Sequence, residues 1–436
     1  MSAVDCAPPR RRWFLDVAPL RESPAYRRFW MSGVAGGIGT QLTAVAIGIQ
    51  VYDLSGTTAA VALVGGFALA PMIVMGIFGG AIVDAFDRRK VLIVASSISF
   101  VAPLGIAGLS WLSVTELWPY YVFTTLSSTV GALVGAARFA IHPRLVERRL
   151  LPAVAALSGI SAGLQSAVGP ALGGLLVAAV GFAWTYTIDL GLFLVGFWGI
   201  ASLPAIVPAV RARVGPAAIA EGLRFLRSAR NLRTAIGIQI ATFAFGRAYA
   251  LLPAVGAVLL GGGATTVGIL VAASAVGVIV SGVLSGPLGR VRRQGRAMLI
   301  AAGCMASGVA VFGALVLTLS LLPHDADAHH VDLPWLIGLA TALVLVGAAD
   351  NIAGIFRTTM MQSAAPDEMR GRLQGLYTLV LTAGPRVGDV FAGFVAAAGA
   401  LWWPPLLGAV VIGIVLVAIA RLRPAFRQYD AREPVP

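Results

Sequence analysis

The chain has 436 residues, 58% of them hydrophobic and only 12% charged, with a formal net charge of +13. Soluble domains carry about 25% charged residues, so this composition excludes a soluble enzyme or binding module and leaves a polytopic membrane protein. The positive balance does not indicate nucleic acid, because the cations sit in short turns between apolar runs and no nucleic-acid-binding motif accompanies them.

Residues 1–28 are polar and basic, with Trp13 and Phe14 suited to a bilayer surface. Arg10-Arg11-Arg12 leads into more polar sequence, so no cleaved signal peptide is expected. Twelve apolar runs follow, at 29–52, 58–83, 91–112, 117–139, 151–177, 182–204, 233–260, 265–288, 297–320, 335–357, 373–398 and 401–420. Each is close to or above the ~20 residues that a helix needs to cross ~30 Å of hydrocarbon; they are numbered spans 1 to 12. Between spans 6 and 7, Pro208 and Pro216 mark a linker. Ala218 to Arg227 then reads as an amphipathic helix, with Ile219, Leu223 and Leu226 on one face and Arg224 and Arg227 toward anionic headgroups. The expected organisation is a basic N-terminus (1–28), a six-helix half (29–204), a linker (205–232), a second six-helix half (233–420) and a tail (421–436).

The cations fall on one side. With the N-terminus inside, the cytoplasmic turns hold Arg88, Arg89 and Lys90, then Arg144, Arg148 and Arg149, then Arg211 to Arg233, then Arg290 to Arg296, and finally the tail. The opposite turns hold Asp53, Glu116 and the His324–Asp332 segment, and no Lys or Arg. The positive-inside rule therefore places both termini in the cytoplasm.

The halves repeat. Gly169-Pro170-Ala171-Leu172-Gly173-Gly174 in span 5 recurs 215 residues later as Gly384-Pro385-Arg386-Val387-Gly388-Asp389 in span 11. Arg138 in span 4 recurs 219 residues later as Arg357 in span 10, and the basic turn at 84–90 recurs at Gly286 to Arg293. Three matches in the same order predict an all-α membrane protein of twelve transmembrane helices in two pseudo-symmetric six-helix halves.

No nucleotide-binding loop, catalytic elbow or metal-spaced Cys-His cluster is present, so neither an enzyme nor a cofactor is expected. Cys6 and Cys304 make no disulfide framework, and the His324–Asp332 run reads as a solvated outer loop rather than a metal site. Energy for transport would then come from an ion gradient or from the substrate's own gradient. Charges inside the membrane are costly and face a cavity or a partner, which singles out Arg138, Asp189, Arg247, Asp350, Arg386 and Asp389. Asp350 is the first choice for a protonatable carboxylate, and its arginine partner is not fixed by sequence. Arg386 and Asp389, three apart, share a helix face and can pair. For the second-half residues the alternative is neutralising pairs that hold that half together; for Asp189 it is a hydrogen bond to a neighbouring helix, and for Arg138 a snorkelling arginine at the inner edge. Gln41, Gln50, Gln239 and Tyr249 are candidates to line the pathway or to bond neighbouring helices.

Gly80-x-x-x-Asp84-x-x-x-Arg88-Arg89-Lys90 resembles the loop between helices 2 and 3 of major facilitator superfamily transporters, with Asp87 where many members have Gly. The resemblance implies a gating latch in which Gly80 permits close helix contact and Asp84 meets the start of a helix in the other half. Gly169-Pro170-x-x-Gly173-Gly174 is similar to the span-5 motif of the family's exporters, which implies a hinge that keeps the cavity leak-tight. Gln165 and Ala156 occupy positions where that pattern has Gly. Arg138 resembles the membrane arginine of the superfamily's antiporters. Ser23-Pro24-Ala25-Tyr26-Arg27, Pro143-Arg144-Leu145-Val146 and Pro366-Asp367-Glu368-Met369-Arg370-Gly371-Arg372 extend the likeness to the enterobactin (siderophore) exporter and macrolide-efflux branch. That branch implies a monomeric, proton-driven exporter of a siderophore or drug-like small molecule in a bacterial inner membrane. A metabolite importer and a non-transporting receptor are the alternatives.

Overall fold

The computed structural model describes residues 17–141, 145–147, 150–203, 216–247, 249–322 and 331–432. Trp13, Phe14 and His324 to His330 lie outside the described residues, as do the side chains of Gly80, Asp84 and Ile219.

Ten helices among the described residues are long and apolar enough to cross a membrane. One of them, Leu151–Ala201, is two spans: Gly181 interrupts it with φ 79°, a left-handed value that favours glycine. The apolar helix Trp118–Ile141 is span 4 and completes twelve segments. The helix starts follow local chemistry. Ser23 accepts from the Tyr26 N–H at the head of span 1 (Pro24–Ser55), and Thr57 accepts from the Ala60 N–H at the head of span 2 (Thr58–Ala85). Asp87 accepts from the Arg89 and Lys90 N–H groups at the head of span 3 (Arg88–Trp111). The family departure at position 87 is thus a helix cap. Gly80 and Asp84 lie on the last turns of span 2.

Span 7 departs from expectation. The run 233–260 reads as one helix, but the helix Arg230–Gly246 stops at Arg247, whose backbone is extended (φ −111°, ψ 120°). The chain resumes as a short 3-10 turn (Tyr249–Leu251), a single α-turn (Leu252–Ala254) and a π-helical segment (Val255–Leu260). Hydropathy registers only that the run is apolar, and the interruption falls at Arg247, the charged residue in its interior. The linker helix Pro216–Ser228 buries Leu226 and leaves Arg224 and Arg227 exposed. Leu223, expected on its buried face, is 47% exposed.

The first and last described helices, Ala18–Glu22 and Pro424–Arg427, share one end of the molecule with the linker helix, here the terminal end. The turns at 53–57, 112–117, 261–262 and 399–402 form the far end. At the far end one apolar core joins both halves: Ala46, Val51, Ala62 and Tyr186 belong to the same buried cluster as Leu251, Leu270, Phe312 and Ala392. At the terminal end the described apolar residues divide. Phe29, Val83, Leu92 and Ile141 cluster within the first half, and Leu232, Met298, Met360 and Phe426 within the second. Burial is the dominant cohesive term wherever water is excluded, so the halves are sealed together at the far end.

The tail is docked. Phe426 and Tyr429 are buried, the Tyr429 and Ser363 hydroxyls lie 3.3 Å apart, and Asp430 pairs with Arg292 at 3.8 Å. Burial pushes the Tyr429 phenol above its usual range, and the Ser363 contact opposes that rise.

Candidate functional site

The second half holds its charges in pairs. Arg247, at the break in span 7, meets Asp350 of span 10 (Leu333–Ala364) with Nη2 3.2 Å from Oδ2. The guanidinium lies over Phe243 at 4.8 Å and near the Tyr249 ring at 5.4 Å, and Tyr249 bonds Ser274 at 3.1 Å. Arg247, Tyr249, Ser274 and Asp350 line one small cavity. In span 11 (Asp367–Ala398), Arg386 and Asp389 form the expected pair one turn apart, at 3.9 Å. Asp389 also lies within electrostatic reach of Arg247.

The repeated glycine motif has two faces with different jobs. A Cβ on Gly169 or Gly173 would strike Gln41 and Leu42 of span 1, so these glycines close the first half upon itself. Gly384 and Gly388 do the same against Phe243 and Arg247 of span 7. Gly174 faces the other half: its Cβ would stand 2.4 Å from the Ala264 oxygen and 2.7 Å from the Gly268 Cα. The equivalent crossing sets Asp389 and Arg386 against Gly65 of span 2, with Gly393 close to Ala62 and the Thr58 hydroxyl donating to the Gly393 carbonyl at 3.0 Å. One crossing between halves is glycine on glycine. The other carries an ion pair.

The first half is built differently. Three glycines of span 1 each make room for a polar side chain from another span. Gly33 receives the Arg138 guanidinium, Gly37 receives the Gln165 amide and Gly39 receives the Asp189 carboxylate. Arg138 donates to the Ser32 hydroxyl at 3.2 Å and lies over the Phe29 ring at 4.8 Å. Gln165 donates to the Gly33 carbonyl at 3.3 Å and to Ser161 at 2.7 Å. Asp189, 6% exposed, accepts from the Thr43 hydroxyl at 2.5 Å. Among the described residues neither Arg138 nor Asp189 has an opposite charge within ion-pair distance. Gly33 and Gly39 are about 9 Å apart along the helix, which keeps these two charges from each other. Thr43 was not singled out from sequence, and Gln165 only as a departure from the glycine pattern of span 5. Their signal is the glycine-rich stretch Gly33 to Gly39, which opens one face of span 1.

Two of the glutamines singled out from sequence are buried in the packing. Gln50 is buried in a network that accepts from the Tyr186 hydroxyl at 2.8 Å and donates to Tyr120 and Ser110 at 3.0 Å each. Gln239 is fully buried with neither amide atom bonded, so it faces the packed core rather than a cavity. Gln41 is half-buried against Gly169. Arg89 donates to the Ala201 carbonyl at 2.9 Å, closing the end of span 6, and Arg88 opens the span 3 helix.

A family model described as transmembrane secretion effector matches residues 15–436. The enterobactin exporter EntS of Citrobacter koseri is 26% identical over 426 residues, covering 96% of this chain and 97% of that protein. Its counterpart from Shigella boydii is 26% identical over 432 residues, covering 97% and 99%. Among solved structures, a mutant of the nucleoside transporter NupG superposes with a TM-score of 0.71 at 13% identity, covering 92% of this chain and 100% of that one. A POT family transporter in complex with 5-aminolevulinic acid gives 0.73 at 8% identity, covering 93% and 97%. At these identities the structures share the fold alone.

Proposed function

The chain belongs to the transmembrane secretion effector family of the major facilitator superfamily, as a multi-pass membrane transporter and not an enzyme, and from that premise we propose that it exports an organic small molecule from the cytoplasm in exchange for protons. The terminal end then faces the cytoplasm of a bacterial inner membrane, where the one-sided cations place it. The described conformation, sealed at the far end, is the inward-facing state that loads cargo.

The observation that carries the reading is the Arg247–Asp350 pair at the break in span 7. A proton on Asp350 removes the counter-charge that anchors Arg247. A second carboxylate in electrostatic reach of Arg247 is Asp389, whose own pair with Arg386 lies on the crossing between halves. Moving Arg247 from one carboxylate to the other shifts the broken span 7. Residues just beyond the break, Ala250 to Leu252, belong to the far-end seal. Protonation thereby acts on the contact that must part for the outward-facing state. Asp350 is the coupling group in this scheme, Asp389 the alternate partner of Arg247, and the cargo is a siderophore, the class named for the enterobactin exporters, or a drug-like small molecule.

The test is substrate-driven proton movement in proteoliposomes under an imposed pH gradient, with enterobactin and a panel of lipophilic drugs. Export coupled to proton entry is expected, and Asp350→Asn should uncouple it. Substrate movement that ignores the pH gradient would move the assignment to a facilitator.

A further inference from the structure

The intramembrane arginines differ in their partners. Arg247 and Arg386 each have a carboxylate. Arg357 is 3% exposed and donates Nε to the Tyr377 hydroxyl at 3.0 Å, with that ring beneath it at 5.2 Å. Arg138 has one hydroxyl partner, Ser32, and among the described residues its Nε and Nη1 donate to nothing and are not sealed inside the protein. Arg357 is sealed against its tyrosine, whereas Arg138 is only half-buried, and a half-buried guanidinium without a counter-charge presents its free donors to water or to an anion.

The space in front of it is open. Gly36, one turn beyond Gly33 on span 1, has no atom within 4 Å of where a Cβ would stand. The same holds for Gly135 and Gly131, which precede Arg138 on successive turns of span 4. Arg138 therefore reaches across a groove between spans 1 and 4 whose walls carry glycine. Lipid is excluded as the filler, since a charged group facing hydrocarbon is costly. The groove lies toward the terminal end, where the described apolar clusters of the two halves are separate.

We propose that Arg138 is the anchor for an anionic group on the transported molecule, a carboxylate or a catecholate, seated in the Gly36–Gly131–Gly135 groove with Gln165 fixing its floor. A guanidinium presents parallel donors that match two-oxygen anions. Gln165 holds the Gly33 carbonyl and Ser161, and so fixes the turn of span 1 against which Arg138 rests. This rests on the transporter reading above and narrows its cargo to anions: one half binds the cargo charge and the other carries the proton switch.

The experiment uses the full chain in proteoliposomes and three probes: a catechol–serine conjugate as its free carboxylate, the same conjugate as its carboxamide, and tetraphenylphosphonium as a cation. The wild type is expected to move the carboxylate about tenfold faster than the carboxamide, as befits a charge-assisted hydrogen-bond pair. Arg138→Gln should level the two, and Arg138→Lys should keep part of the preference. Gly135→Leu fills open space without touching the guanidinium, so it should fold normally and slow the carboxylate. A preference for the carboxylate that survives Arg138→Gln overturns the anchor and leaves the exporter standing. So does a wild type that moves only the cation. Movement of no probe overturns both.

Discussion

The two halves treat their intramembrane charges in opposite ways. The second half pairs Asp350 with Arg247 and Asp389 with Arg386. The first half gives Asp189 a threonine, Thr43, and Arg138 a serine, Ser32, about 16 Å apart along span 1. The crossings between halves differ in the same sense: Gly174 on Gly268 at one, Asp389 and Arg386 on Gly65 at the other. An ion pair can exchange partners when a proton arrives, whereas a charge held by hydroxyls keeps its geometry and stays free to meet a ligand. The pseudo-symmetry supplies the scaffold, and the substitutions that break it divide the labour.

Removing one member of a pair should give the largest effect. Asp350→Asn leaves the Arg247 guanidinium without its carboxylate, and breaking a buried pair costs ~3–5 kcal/mol. The melting temperature in detergent should fall by several degrees, and the Arg247→Gln, Asp350→Asn double variant should recover most of the loss. A single variant that melts like the wild type would remove the pair from the argument.

The neutral crossing comes next. Gly174→Val drives a side chain into the Ala264 carbonyl and the Gly268 backbone, an overpacking cost of ~1–3 kcal/mol. The cost falls on the far-end-closed state, so spin labels at Thr57 and Ala400 should move apart. Unchanged distances in a folded variant would mean that this crossing does not seal the molecule. Replacing Asp389 by Gly and Arg386 by Ala copies the neutral crossing onto the charged one, and should leave the far end closed at every pH.

Gln50→Leu removes a shared partner of Tyr120, Tyr186 and Ser110. Stranded buried hydroxyls cost ~1–3 kcal/mol. Stability should fall while transport persists, because the network ties spans of one half. The smallest effect is expected at Asp189→Asn. The amide still accepts from Thr43, the melting temperature should change little, and proton-driven transport should continue. Loss of coupling there would move the proton site into the first half.

Asp350 and the Arg386–Asp389 pair were legible as intramembrane charges, the latter because three residues bring side chains onto one helical face. The partner of Asp350 was not legible, since Arg247 is 103 residues away in sequence. Gln165 read as a departure from the exporter pattern. The structure shows it matched by Gly37 across a helix contact, and a pattern written along one span does not record its neighbour. Gln50 and Gln239 looked alike as polar residues in apolar runs, yet one bonds three side chains and the other bonds none.

The sequence by itself determined the class, the number of spans, the repeat and the side on which cations collect, because hydrocarbon thickness and the cost of moving charge across it act on each segment alone. Only the tertiary structure decided which charges meet, which glycines face the other half, where span 7 breaks and which arginines have a hydroxyl in place of a carboxylate. Those depend on contacts between helices far apart in the chain, and a glycine or an arginine takes its role from what stands opposite.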